Sequence, residues 1–207
     1  MASSVIHMCV AKKINEYLNY DKKQLYLGSI APDIAKLIGE TKQNSHFITE
    51  LDSDIPNIEL FLNKYKHQIT NPFVMGYYIH LYTDKIWFKK FVPTFLSDIT
   101  IKLLDGTIVP LTNEQKGLLI YNDYSNLNVQ LLDKYDLDLS LFYEELEYPE
   151  DIIKEIPTNK LKILIDKASQ LIMDSKKSKE YVFDIIDIEK FIDNCTNEII
   201  DKIKNII

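Results

Sequence analysis

Residues 71 to 91 constrain the fold more than any other stretch of the chain. Asn71 is suited to cap a helix, and Pro72 to fill its first position, where a missing N–H costs nothing. The helix predicted from there to about Phe91 carries Phe73, Gly76, Tyr77, His80, Asp84 and Trp87. Its apolar residues and its chemically able ones share one broad face. Such a helix belongs at the centre of a molecule, with other helices packed around it. His80 and Asp84 are four apart, so they stand one turn apart on that face.

Most of the remaining chain has a helical period. His7, Ala11, Ile14 and Leu18 recur on one face from Ser4 to Leu18, with Ser3 or Ser4 to cap the start. Lys22 to Leu27 predicts a short helix capped by Asp21 and ended at Gly28. Pro32 predicts an extended or turn geometry beside Asp33. Asp54 with Pro56 opens a helix that buries Ile58, Phe61, Leu62 and Tyr65. Thr112 and Gln115 make a capping box for a helix to about Asn122. Further helices are expected near 125–135, 160–173 and 188–206. Pro149 and Pro157 bracket a turn-rich link. The one strand signal is 99–109, where Asp105-Gly106 between β-prone runs predicts a small hairpin. The expected fold is all-α: a single multi-helix domain over residues 1–207, with a β-hairpin insertion near 99–109.

Composition narrows the function. With 46% hydrophobic and 27% charged residues, a packed core is expected and disorder is not. No run of roughly 18 apolar residues occurs, so no spanning helix is expected. The first residues lack a basic region followed by an apolar stretch, which predicts a cytoplasmic protein without a signal peptide. The formal charge is -7, and lysine supplies all 24 positive side chains. Arginine is the residue suited to forked grips on phosphate and to reading guanine. Its absence, with the acidic balance, argues against a nucleic-acid-binding module and against docking on anionic lipid. Cys9 and Cys195 share no metal-binding spacing and are expected to be buried free thiols.

The chemistry is concentrated early in the chain. There are 4 histidines, and none follows His80. Three of them, His7, His46 and His80, fall with Asp33 and Asp84 in the first 84 residues. A histidine and a carboxylate one turn apart can bind one metal; the alternative is a simple helix-face pair. Gly76, one turn before His80, leaves room for a metal or for another helix. His7 alone could be a satisfied core residue. Asp33 sits on a rigid Pro-Asp step in apolar surroundings and needs a partner, since an unpaired buried carboxylate is costly; the alternative is capping of a helix from Ile34. Taken together, the five predict a metal site. His67, near Lys64 and Lys66, is expected at a solvated helix end. Asp123 and Tyr124 lie in a polar and aromatic stretch that could line a substrate pocket, or Asp123 could cap the next helix.

The order His7, Leu27-Gly28-Ser29-Ile30-Ala31-Pro32-Asp33, Ser45-His46-Phe47 and Gly76 to Asp84 resembles bacterial zinc-dependent phospholipase C. That superfamily includes the P1/S1 nucleases, and its members are helical. The resemblance covers about the first 90 residues. It implies that Asp33, His46, His80 and Asp84 surround one metal. It implies that His7 serves a second, with Asp84 bridging, and that Asp33 orients or deprotonates the attacking water. Zinc is the implied metal, as one or two ions, with manganese or iron as alternatives. Zinc can lower the pKa of bound water to about 7, and two metals can stabilise both oxygens of a phosphodiester displacement. The family's downstream histidines have no counterpart here, so the implied site is reduced, mononuclear or dinuclear.

The reading from sequence is an intracellular metal-dependent phosphoesterase acting on a small phosphorylated substrate. The alternative is a non-catalytic helical binding module that keeps the fold and a structural metal. A histidine–aspartate phosphohydrolase is excluded, because no His-Asp dipeptide occurs.

Overall fold

A computed structural model describes residues 2–50, 53–150 and 152–207. The chain is mostly helical, with one small antiparallel sheet. Helix α1 (Ser4–Leu18) is capped by the Ser3 hydroxyl, and α2 (Lys22–Ile30) by the Asp21 carboxylate. A 3-10 turn over Ala31–Asp33 leads into the short α3 (Ile34–Leu37), followed by α4 (Lys42–Ser45). Helix α5 (Ile58–Tyr65) precedes α6 (Pro72–Ile86), which Asn71 caps by accepting the N–H groups of Phe73 and Val74. A π-helical turn, Trp87–Phe91, extends α6.

Helix α6 is the centre of the molecule. Every residue from Phe73 to Asp84 is buried, and the helix packs against α1, α2, α5 and α10. Burial all round is what its nearly unbroken apolar sequence requires. The closest approach is to α2. A Cβ added to Gly28 would stand 2.1 Å from the Phe73 carbonyl oxygen, and one added to Gly76 would stand 2.1 Å from that of Leu25. The two glycines let the backbones touch.

Strands β1 (Thr100–Lys102) and β2 (Ile108–Pro110) pair antiparallel, with Ile101 opposite Val109. Gly106 turns the tip at φ +86°, the left-handed region that favours glycine. Thr112 caps α7 (Asn113–Gln115), which passes through a π-helical turn over Lys116–Ile120 into α8 (Tyr121–Lys134). Helices α9 (Leu161–Met173) and α10 (Ile185–Ile203) follow. Ile188, Ile192, Ile199 and Ile203 form the buried stripe of α10. Both cysteines are free and buried. Among the described residues no helix is long and apolar enough to cross a membrane.

Four local expectations are corrected. Gly28 does not end α2, which runs on to Ile30; its role is the contact with α6. Ala31 before Pro32 stays helical, at φ -54° and ψ -37°, because the 3-10 turn places the proline at its N-terminal positions. Asn57, rather than Asp54 or Pro56, caps α5. No break separates Asn122 from Ser125; the chain is helical from Asn113 to Lys134.

Candidate metal centre

The five early residues meet in one place. His7 comes from the buried face of α1, His80 and Asp84 from α6, Asp33 from the 3-10 turn, and His46 from the end of α4. Asp33 makes no capping hydrogen bond to α3, so the capping alternative fails. Asp84 Oδ1 is 3.4 Å from His7 Nε2. Asp84 Oδ2 is 3.7 Å from both His46 Nε2 and His80 Nε2. Asp33 Oδ1 is 3.5 Å from His46 Nε2. The Nε2 atoms of His46 and His80 are 3.2 Å apart.

Neighbouring groups fix the rings. The Ser29 carbonyl lies 2.8 Å from His80 Nδ1, which must therefore carry a proton and donate. Gly28 and Gly76 bring that carbonyl within reach. His46 Nδ1 lies 2.9 Å from Ser45 Oγ, which is itself 3.4 Å from the Lys42 carbonyl. This pair fixes the His46 ring, with Ser45 Oγ donating to or accepting from Nδ1 according to the tautomer. The Tyr77 hydroxyl donates to the Ser45 carbonyl. Phe47 holds φ +53°, uncommon for a bulky residue and worth about 1 kcal/mol or more of strain. Its ring packs edge-on against Phe61, Tyr65 and Tyr77, and its carbonyl accepts the Asn57 N–H at 3.0 Å. That anchoring aims His46 inward.

The Nε2 lone pair of His80 faces His46 Nε2 beside the carboxylates of Asp33 and Asp84. Neither ring nitrogen of His7 has a hydrogen-bond partner, nor has Asp33 Oδ1 or Asp84 Oδ2. Buried polar atoms normally have one. A metal ion would supply what these atoms lack. Zinc–ligand bonds of about 2.0–2.1 Å place tetrahedral donors about 3.3 Å apart. Four separations of 3.2 to 3.7 Å fit that edge: Asp33 to His46, His46 to His80, and Asp84 to each of those two histidines. In two overlapping sets, His7–His80–Asp84 and Asp33–His46–His80, one ligand atom from each residue lies within 4.8 Å of the others. These buried groups could hold a metal ion.

Electrostatics favour the ligating forms. Burial would raise the Asp33 carboxyl, but His46 beside it and the other nearby histidines hold it down at about 2. Burial likewise opposes ionisation of Asp84, yet His7 and His80 keep it well below its ordinary value. Burial, with His7 beside it, depresses His80 to about 3. At neutral pH both carboxylates are ionised and His80 is neutral. The cluster meets solvent at one edge: the Asp33 side chain is 11% exposed, whereas the other four are 0–1%.

The remaining site candidates separate. His67 is exposed in a 3-10 turn, as a solvated residue. Asp123 is buried, and its carboxylate accepts the N–H groups of Tyr181, Val182 and Phe183 at 2.6 to 3.2 Å. It therefore serves the fold and caps no helix. Tyr124 is half-buried against Trp87 and Phe183. Burial, then the fields of Asp84, Tyr121 and Asp33, push its phenol far above the ordinary value. Sequence reasoning missed the orienting groups. Ser45 was legible as a hydroxyl next to His46, whereas a backbone carbonyl such as that of Ser29 leaves no sequence signal.

No family model matches the chain, and neither does any curated protein or solved structure.

Proposed function

We propose that this protein is a metal-dependent hydrolase of phosphoric esters, with the ligand arrangement of the phospholipase C and P1 nuclease group that its early motifs resemble. One observation carries the reading: His46 and His80 direct their Nε2 atoms at each other across 3.2 Å, beside two carboxylates. Asp33, His46, His80 and Asp84 would hold one ion, and His7 with Asp84 Oδ1 a second. A divalent ion there supplies Lewis acidity and acidifies water toward neutral pH. Zinc suits this nitrogen and oxygen donor set. Asp33, at the exposed edge, orients the attacking water and takes its proton. Ser29 and Ser45 keep the two imidazoles from rotating away.

A second reading is favoured by the same geometry. Four protein donors around one tetrahedral ion leave no open position, the mark of a structural site. The protein would then be a helical binding module stabilised by its metal. Against this, His7 and Asp84 Oδ1 stand outside that four-donor set, and a structural ion does not need them.

The test is elemental analysis of untagged protein beside His80→Ala, then hydrolysis of bis(p-nitrophenyl) phosphate. The hydrolase reading expects bound metal, lost in His80→Ala, and turnover abolished by Asp33→Asn. Metal without turnover would leave the structural module. A parent that holds no metal and cannot be loaded with zinc or manganese would refute both.

A further inference from the structure

His46 receives less support from its own helix than the ligands on α1 and α6 do. His7, His80 and Asp84 stand on helices of 15 residues, whereas α4 has four. A helix that short does not hold its shape without outside partners. Its end is closed by the Ile48 N–H to the Gln43 carbonyl at 2.9 Å and the Phe47 N–H to the Asn44 carbonyl at 3.1 Å. The two bonds make a Schellman motif, with His46 at the cap and Phe47 at the left-handed position after it. Glycine is the usual occupant there. Phenylalanine strains the backbone, and its ring in return enters the aromatic group of Phe61, Tyr65 and Tyr77.

The motif leaves the Ser45 carbonyl to an outside donor. The Tyr77 hydroxyl is that donor. Tyr77 is wholly buried on α6, one turn before His80. Its ring lies flat on that of Phe61, with centroids 5.6 Å apart and planes 2° from parallel. Burial pushes its phenol far above the ordinary value, so the hydroxyl keeps its proton and donates. Ser45 carries that grip to the ligand in two ways. Its carbonyl belongs to the peptide bond that leads into His46, and its Oγ lies 2.9 Å from His46 Nδ1.

We propose that Tyr77 is a positioning residue for the metal, acting on the ion only through Ser45 and His46. Helix α6 then places three of the four donors around one ion: His80 and Asp84 directly, and His46 by way of Tyr77. The 3.2 Å between the His46 and His80 Nε2 atoms is the separation so fixed. The inference rests on the metal reading of the cluster and deepens it. The competing role is plain satisfaction of a buried carbonyl, which serves stability alone. The two roles move different quantities. A bond for stability shifts the unfolding midpoint, whereas a positioning bond changes the zinc affinity of the folded protein.

Tyr77→Phe removes the hydroxyl and keeps the ring stack. Affinity for the tighter-bound zinc is measured by chelator competition on the parent, Tyr77→Phe, His46→Ala and the double variant. Circular dichroism at the titration temperature verifies that each is folded. Binding is expected to be roughly tenfold weaker in Tyr77→Phe. No further loss is expected when Tyr77→Phe is added to His46→Ala, because the ligand it acts through is gone. Equal affinity in parent and Tyr77→Phe overturns the inference. The same loss in both backgrounds also overturns it, since the hydroxyl would then act on something other than His46. A Tyr77→Phe protein that stays unfolded with zinc present overturns it as well, by making the hydroxyl a support of the fold. In each case zinc bound by the parent leaves the cluster reading standing. A parent that binds no zinc overturns the cluster reading, and with it this inference.

Discussion

The imidazole of His7 lies flat on that of His80, with ring centroids 3.8 Å apart and planes 13° from parallel. Stacked rings at that distance cannot both be protonated without strong repulsion. Yet they face different partners. His80 Nε2 joins His46 and Asp84 Oδ2, while His7 Nε2 meets Asp84 Oδ1. Asp84 thereby divides the donors into two groups, one oxygen to each.

Metal stoichiometry follows from that division. The parent is expected to bind two equivalents. His7→Gln should bind one, because Asp33, His46, His80 and Asp84 Oδ2 are left intact. Inductively coupled plasma analysis of both proteins checks this. A His7→Gln protein with the parent's full metal content would remove His7 from the ligand set.

The site was more legible in sequence than the packing that shapes it. His80 and Asp84 could be paired from their spacing, and Asp33 could be singled out because a carboxylate in apolar surroundings needs a partner. Gly28 was misread, since a glycine after an apolar run looks like a helix end. Its meaning depends on Gly76, some fifty residues away, and helical periodicity does not register distant contacts. The capping role offered for Asp123 failed for the same reason: the N–H groups that it accepts belong to residues 181–183.

Acid should destabilise the metal-free protein before its carboxylates titrate. His80 has a folded pKa of about 3 against an ordinary value of 6.5. Between those values the unfolded chain binds a proton that the folded chain does not. Stability is therefore full above pH 6.5 and falls as pH drops, by roughly 1.4 kcal/mol per pH unit for one proton. Asp33 and Asp84, lowered from 3.8, add a loss of the same sign at still lower pH. Urea unfolding of chelator-treated protein between about pH 7 and pH 4.5 measures the slope. A flat midpoint across that window would contradict a neutral, buried His80.

The contact of α2 with α6 should tolerate no side chain. A methyl at Gly76 would press on the Leu25 carbonyl and the Ser29 backbone. Both are backbone atoms and cannot swing aside. Gly76→Ala is expected to cost about 3 kcal/mol or more. It should also weaken metal binding, because separating the helices withdraws the Ser29 carbonyl from His80. Gly117→Ala is the control, since nothing lies within 4 Å of its added Cβ. Equal urea midpoints for the two variants would show that the helices slide apart without cost.

Asp123 should matter for folding and not for metal. Its carboxylate fixes residues 181–183 against α8, while Asn126 and Ser125 accept the Ser178 and Lys176 N–H groups nearby. Asp123→Ala strands buried N–H groups of Val182 and Phe183. Each unsatisfied donor costs about 1–3 kcal/mol, so a total loss of about 2–6 kcal/mol is expected. Asp123→Asn keeps one acceptor oxygen and should lose less. Metal content per folded protein should match the parent in both variants, since none of the five cluster residues touches Asp123. Metal loss in a folded Asp123→Asn protein would show that this carboxylate reaches the centre after all, and would return it to the substrate or ligand set.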